Sequence, residues 1–432
     1  MLGLGVGSGL LLGACGGSGE GGGGDLDAGD DARSSADSTA SDGRIGDAQA
    51  DADEGDGAPA TDAPKADAAP ADADATSGCP TGPFGAGDYW PPACWRPFAS
   101  SSPFNTKLPA SPKLLANSSA IVHRVLGDTT PIVPGATQPA NLLALEDHHG
   151  GWPTYYGRAA DPTFKVHCNE FGGACTIGDG VITLHAPSGA TLQGGCGADP
   201  ASDRHLTVVD QTSGWEYDLW HVSTCPLPAA GGTIEIGWGG HARMDGDGID
   251  VDVGQGMASS TADLAGRVRV EEFATHRIDH ALNIVIDCGT DAFVYPARAF
   301  DKKCADLVDA PPMGARFQLA MTAAEIDALP APVWKKTLLH AMAEYGMFFG
   351  DTGSSFFFDI QIEGGDMYTT MGAAADPWLT FAKAEGWGYY GVDPYKGYTG
   401  SMHNGDDGMD WKAQVWSKLR VVDPCVSKGT CP

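Results

Sequence analysis

From residue 79 onward the chain is built of short apolar runs broken by Gly, Asp, Asn and Cys. His205–Asp210 (HLTVVD) and Trp215–Val222 (WEYDLWHV) flank the turn cluster Gln211-Thr212-Ser213-Gly214, which predicts a β-hairpin with a four-residue loop. Val181–His185, Gly232–Trp238 and Arg277–Asp287 (RIDHALNIVID) read as further strands, and Met347–Phe349 and Phe356–Ile362 as buried ones. Ala120–Leu126 fits a strand or a short helix.

Helical spacing is confined to three places. Thr322 and Glu325 form a capping box before Ile326. Pro332 suits the first position of a second helix, whose stripe is Trp334, Leu338, Ala341, Met342 and Tyr345, with Gly346 at its C-terminal cap. Asp376-Pro377 opens a third, with Trp378, Phe381 and Ala382 inward and Gly386 closing it. Many short strands and few helices predict a mainly β body over 79–432, sandwich-like or jelly-roll-like, with a few peripheral helices.

Composition changes before that body. Residues 16–78 are Gly, Ala, Asp, Ser and Pro, with 16 acidic against 3 basic residues. Such a stretch buries too little apolar surface to offset ordering entropy, so it reads as a disordered acidic tether. Residues 1–15 are an apolar run too short to span a bilayer as a mature helix. The run ends Leu12-Gly13-Ala14-Cys15, which resembles a bacterial lipobox. That resemblance implies a signal peptide, lipidation at Cys15, and an exported protein held to the cell envelope through its lipid alone. No Lys or Arg precedes the run, a departure from the pattern.

The net charge of −30 argues against nucleic acid as a partner, because phosphates would be repelled. Eleven cysteines leave ten once Cys15 is set aside, an even set that in an exported chain reads as disulfides. Local pairing is the economical expectation: Cys79–Cys94, Cys168–Cys175, Cys196–Cys225, Cys288–Cys304 and Cys425–Cys431.

Three constellations carry possible chemistry. On the second hairpin strand Glu216, Asp218 and Trp220 share one face, against Tyr217, Leu219 and His221. Two acids beside an indole suit sugar chemistry, where one carboxyl donates a proton and another acts as base or nucleophile. The plainer alternative is an edge strand with its acids in water. In Arg277-Ile278-Asp279-His280, Arg277 and Asp279 form a polar face able to hold a hydroxyl or carboxylate, while His280 is either a general base or a satisfied core histidine. Pairing of that strand with the hairpin would bring Asp218 and Asp279 into one cleft. Asp245, Asp247, Asp250 and Asp252, spaced among glycines, resemble a calcium loop without being an EF-hand; the alternative is a solvated acidic turn. Asp351-Thr352-Gly353-Ser354-Ser355 looks like the loop of pepsin-like aspartic proteases. That chemistry needs two such loops, and the one partner, Asp287-Cys288-Gly289-Thr290, stands in the wrong order and too near, which leaves a tight turn as the reading.

The blocks Ser102–Thr106 (SPFNT), Asp218-Leu219-Trp220, Arg277–Ala281 (RIDHA), and Tyr345-Gly346 with Asp351–Gly353 together resemble secreted bacterial proteins of undefined activity. The resemblance implies an exported β-rich body and supplies no reaction. The residues themselves point to a glycoside hydrolase or polysaccharide lyase, with Asp218, Asp279 and His280 catalytic and Glu216, Trp220 and Arg277 binding substrate. The alternative is a non-catalytic surface module for polysaccharide or cell-wall glycan. Calcium is the one cofactor the sequence suggests.

Overall fold

A computed structural model describes residues 79–431, apart from 86, 88, 93, 127–140, 147–150, 171–174, 176, 178, 250–255, 287–288, 302–307, 353–357 and 393–394. In chain order the strands begin with β1 (Asn141–Glu146), β2 (Thr154–Gly157), β3 (Thr163–Cys168), β4 (Asp179–His185) and β5 (Leu206–Asp210). They continue with β6 (Trp215–Trp220), β7 (Gly232–Ile236), β8 (Trp238–Arg243), β9 (Leu282–Ile286) and β10 (Arg316–Leu319). The last five are β11 (Met347–Thr352), β12 (Asp359–Ile360), β13 (Gly388–Val392), β14 (Tyr395–His403) and β15 (Leu419–Val422).

These strands form three mixed sheets: an eight-stranded sheet ordered β13-β14-β1-β12-β9-β11-β10-β15, a four-stranded sheet β2-β5-β6-β8 and a three-stranded sheet β4-β3-β7. The class is mainly β, as the strand pattern predicts. The ladders include parallel pairs, β9 with β11, β2 with β5 and β3 with β7, where a jelly roll would be antiparallel. Strand direction depends on distant partners, which local alternation does not encode. Among the described residues no helix is long and apolar enough to cross a membrane.

The hairpin forms as its alternation predicts, with Leu206 opposite Leu219 and Asp210 opposite Trp215. β6 also pairs with β8 on its other side, so it is a central strand, and both Glu216 and Asp218 are 0% exposed. The edge strand with solvated acids is therefore not what forms. Of the 277–287 run only Leu282–Ile286 is strand, and it lies between β12 and β11 in the large sheet. The pairing that would bring Asp218 beside Asp279 is absent.

The helices obey their local signals. Thr322 caps 323–327 with Glu325 reciprocating, and Asp376 accepts from the amides of Trp378 and Leu379 ahead of Pro377. Pro332 is the N-cap of Val333–Glu344 and so sits one position earlier than its usual place; Trp334, Leu338, Ala341 and Met342 are buried as the stripe requires. Residues 118–125 are helical. Four disulfides, Cys79–Cys94, Cys168–Cys175, Cys196–Cys225 and Cys425–Cys431, match the local-pairing expectation and fit an oxidising, exported setting. Cys288 and Cys304 lie outside the described residues, as do Cys15 and the tether.

The four-stranded and eight-stranded sheets meet across an irregular segment. Ser259 to Val270 is buried without a break, although loops ordinarily run over the surface. On the large-sheet side Gly266 takes the Asn283 amide on its carbonyl, and Val268 exchanges bonds with Gln361 and Glu363. Gly266 has φ +85°, and a Cβ there would lie 2.7–2.9 Å from the Asn283 nitrogen, the Ala281 oxygen and the Leu282 carbonyl carbon. Only glycine fits that approach. Gly266→Ala is expected to destabilise the protein by on the order of 3 kcal/mol, measured by urea unfolding. A change under about 0.5 kcal/mol would show that the contact is dispensable.

Candidate functional site

The buried segment is held to the four-stranded sheet by the two acids that stood out in the sequence. The Asp263 amide donates to Asp218 Oδ2 (3.1 Å) and the Leu264 amide to Glu216 Oε1 (2.8 Å). Alternation along β6 puts both carboxyls on one face, and the segment crosses that face. Their other oxygens, Glu216 Oε2 and Asp218 Oδ1, meet no donor from outside the pair. The two side chains are within reach of each other, and two carboxyls bond only when one keeps its proton. Burial pushes Glu216 up to about 7, and burial followed by the charges of Asp263 and Glu216 pushes Asp218 well above the carboxylate range.

One step outward lies Asp263 itself, 0% exposed. Its Oδ2 accepts from Thr207 Oγ1 (3.1 Å) and lies 3.5 Å from Arg267 Nη2. Burial raises Asp263 to about 6 against the pull of Arg267. The Arg267 guanidinium is fully buried, donating to Thr154 Oγ1 (2.6 Å), Thr207 Oγ1 (3.2 Å) and the Trp152 carbonyl (3.4 Å), with the Trp152 ring 5.3 Å from its carbon.

The outermost row is aromatic. Trp220 stands opposite Trp238 on β8, and His205 immediately precedes β5, one step beyond the Leu206–Leu219 pair. Trp152 stacks flat on His205, centroids 3.6 Å apart and 13° between planes. Trp152 and Trp238 are half-buried, while Trp220 is 7% exposed, covered on one side by His221 at 3.4 Å, and donates from Nε1 to Asp203 Oδ1 (3.0 Å). Asp203 is exposed. Across the seam, on β11, Asp351 is half-buried and its Oδ1 accepts the Thr352 amide (2.8 Å); residues 353–355 of the expected turn lie outside the described residues. Burial, then the charges of Asp203 and Asp263, push its carboxyl well above the usual range. Aromatic row, acidic rim and buried acids thus make one graded site.

The other expected residues lie elsewhere. Arg277 Nε donates to both oxygens of Asp279 (2.8 and 2.7 Å), and Tyr345 Oη also reaches Asp279 (3.4 Å). Asp279 and Asp218 share no hydrogen-bond or ion-pair partner. His280 is 1% exposed, with Nε2 3.0 Å from Glu272 Oε1 and Nδ1 2.8 Å from the Ala281 carbonyl. Burial alone would raise Glu272, but Arg269 and His280 outweigh it and hold the carboxyl at about 2. This group ties the 269–272 turn to the start of β9.

In the expected calcium loop, Asp245 binds Arg243 through both carboxylate oxygens (2.7 and 2.6 Å), and Asp247 Oδ1 accepts the Ile249 amide. Asp250 and Asp252 lie outside the described residues, and among those described no three ligands gather as a metal site.

Sequence reading missed Asp203, His205, Asp263, Arg267 and Asp351 as members of one site. One signal was present: Asp263 and Arg267 interrupt an otherwise apolar, small-residue run from Ser259 to Val268, where an ionisable group must have partners. No protein-family model, curated protein or solved structure matches the chain, so residues and geometry alone bear on function.

The buried acids set a pH dependence. Glu216, Asp263 and also Glu363, raised by burial to about 8, bind protons more tightly folded than unfolded. Their stabilising effect is complete below the unfolded carboxyl pKa of about 4.3 and is lost as pH rises through about 6 to 8. The melting temperature is therefore expected to fall over that window. Glu216→Gln, which keeps an acceptor for Leu264 without titrating, is expected to flatten the fall. An unaltered pH profile in that variant would remove Glu216 from the account.

Proposed function

We propose that this protein is an exported enzyme acting on polysaccharide, a glycoside hydrolase or a polysaccharide lyase, with its active centre at the rim of the seam. The observation that carries the reading is the rim itself, where the half-buried Asp351 lies in the field of Asp203, the carboxylate that the Trp220 indole holds. A carboxyl that holds its proton more tightly than an ordinary carboxylic acid is suited to protonate a leaving sugar oxygen. Asp203, exposed and oriented by the Trp220 indole, is a carboxylate placed to accept from sugar hydroxyls. The half-buried Trp152 and Trp238 offer apolar faces for sugar rings.

This moves the acid–base roles from the pair expected in the sequence. Asp218 is sealed against the Asp263 amide, and Asp279 is engaged by Arg277 in a separate cluster. Glu216 and Asp218 support the site from beneath.

A non-catalytic glycan-binding module is the second reading, favoured by the same aromatic row, which needs no acid to bind sugar. Lipidation at Cys15 would place either protein at the cell envelope, with the acidic segment 16–78 between lipid and body. In the full-length chain, Cys15→Ala is expected to move the protein from the membrane fraction to the soluble one. Unchanged fractionation would discard the anchor.

Asp351→Asn separates the two functional readings. It is expected to lower glycan turnover roughly a hundredfold or more while leaving glycan binding and the melting transition in place. Binding without turnover in the wild type would hand the case to the binding module. Full turnover in Asp351→Asn would take the acid role from that residue.

A further inference from the structure

His205 is a residue for which neither the hairpin nor the packing gives a structural reason. Its ring is 2% exposed and fixed flat on Trp152. Its Nδ1 has no hydrogen-bond partner and lies 4.0 Å from Asp263 Oδ2; the second oxygen, Asp263 Oδ1, is also without a donor. A buried histidine kept only for stability would be bonded at that nitrogen. Gly256 packs over this pair, and a Cβ there would stand 3.1–3.2 Å from both Asp263 oxygens and 3.4 Å from His205 Nδ1. Nδ1 and the carboxylate are one small displacement from an N–H···O bond, the geometry by which an acid fixes an imidazole tautomer.

Burial favours the neutral form of the ring. Burial is the largest effect; Asp203 opposes it, Arg267 and His221 add to it, and the imidazole is lowered to about 4. Above about pH 4 the ring has a lone pair to accept a proton, and the upward shift of Asp351 widens the range over which that carboxyl has one to give. Base unprotonated and acid protonated together is the working state for acid–base cleavage.

We propose that His205 is the proton acceptor of this site, oriented by Asp263 as a positioning residue, and that the reaction is hydrolysis of a neutral glycan. The proposal rests on the carbohydrate reading given above. In the step, His205 takes a proton from water as the water oxygen bonds to the anomeric carbon. The glycosidic C–O bond breaks, and the leaving oxygen takes the proton of Asp351. The proton on His205 then returns to Asp351 through solvent. Elimination requires a uronate whose carboxylate is neutralised. The exposed carboxylate at the rim, Asp203, would repel it, and Arg267 is sealed beneath with Thr154, Thr207 and Asp263 as its partners.

The test assays the full chain on soluble β-glucan, xylan and polygalacturonate, reading reducing ends and the ultraviolet absorbance of unsaturated products. Reducing ends from a neutral polymer are expected, with no unsaturated product and an acid limb of kcat/KM near pH 4. His205→Ala is expected to lose roughly a hundredfold or more in kcat with little change in KM, and added imidazole to restore part of it. Asp263→Asn is expected to displace the acid limb, which a merely structural role would leave in place. If the alanine variant does not fold, His205→Gln with the same pH profile replaces it. Full activity in a folded His205 variant, or unsaturated products from polygalacturonate, overturns the proposal and leaves the carbohydrate reading standing. No turnover of any polymer by the wild type overturns both.

Discussion

An irregular segment that runs through the core must satisfy every amide and carbonyl it carries, because no water reaches it. Ser259 to Val270 meets that demand from two sides. Backbone groups of the large sheet and its neighbours serve one set: Gly350, Asn283, Gln361 and Glu363 bond to Ser259, Gly266 and Val268. β6 has no free backbone to offer, since it is paired with β5 on one side and β8 on the other. Side chains must reach out instead, and a carboxylate on a central strand is a strong acceptor for an amide. Glu216 and Asp218 are there because Leu264 and Asp263 need acceptors.

That arrangement brings a cost which the rest of the site resolves. Three carboxyls, Glu216, Asp218 and Asp263, are fully buried together. Three negative charges in a low-dielectric interior repel strongly, so the cluster retains protons, and Arg267 compensates what charge remains. Thr154 and Thr207, on neighbouring strands β2 and β5, accept from its Nη1. Asp351 is raised first by its own burial and then by Asp203, and the charge of Asp263 adds to both, so the buried cluster contributes to the pKa of an acid at the rim. Floor and rim differ in exposure, and that separates support from reaction.

Much of the fold was legible where the information is local. The β5–β6 hairpin follows from alternation and a turn cluster, and the caps at Thr322 and Asp376 from short-range hydrogen bonds. Four disulfides follow from proximity along the chain. Partner strands were not legible. The 277–287 run alternates well enough to suggest a strand of the hairpin's sheet, yet Phe104 O takes the Ala281 amide and Leu282 bonds to Gly346, which places it in the large sheet. For the site, the sequence picked out Glu216 and Asp218 because acids are rare in strands. It could not see that their partners are backbone amides some 45 residues on, or that His205 and Trp152 stack across the β2–β5 parallel pair.

The second acidic cluster explains why the seam stays in register. Arg269, the residue after the segment's last bond to the large sheet, donates to Glu272 and to the Trp95 carbonyl, while Glu272 also bonds His280 just ahead of β9. Arg96, next to Trp95, reaches the carbonyls of Asn105 and Asp279. The aromatic stretch near residue 95, the 269–272 turn and the entry to β9 are thereby one unit. Asp279 and His280 brace the far end of the segment whose near end carries Asp263. Both acid-rich blocks that stood out in the sequence thus act on the same twelve buried residues from opposite ends.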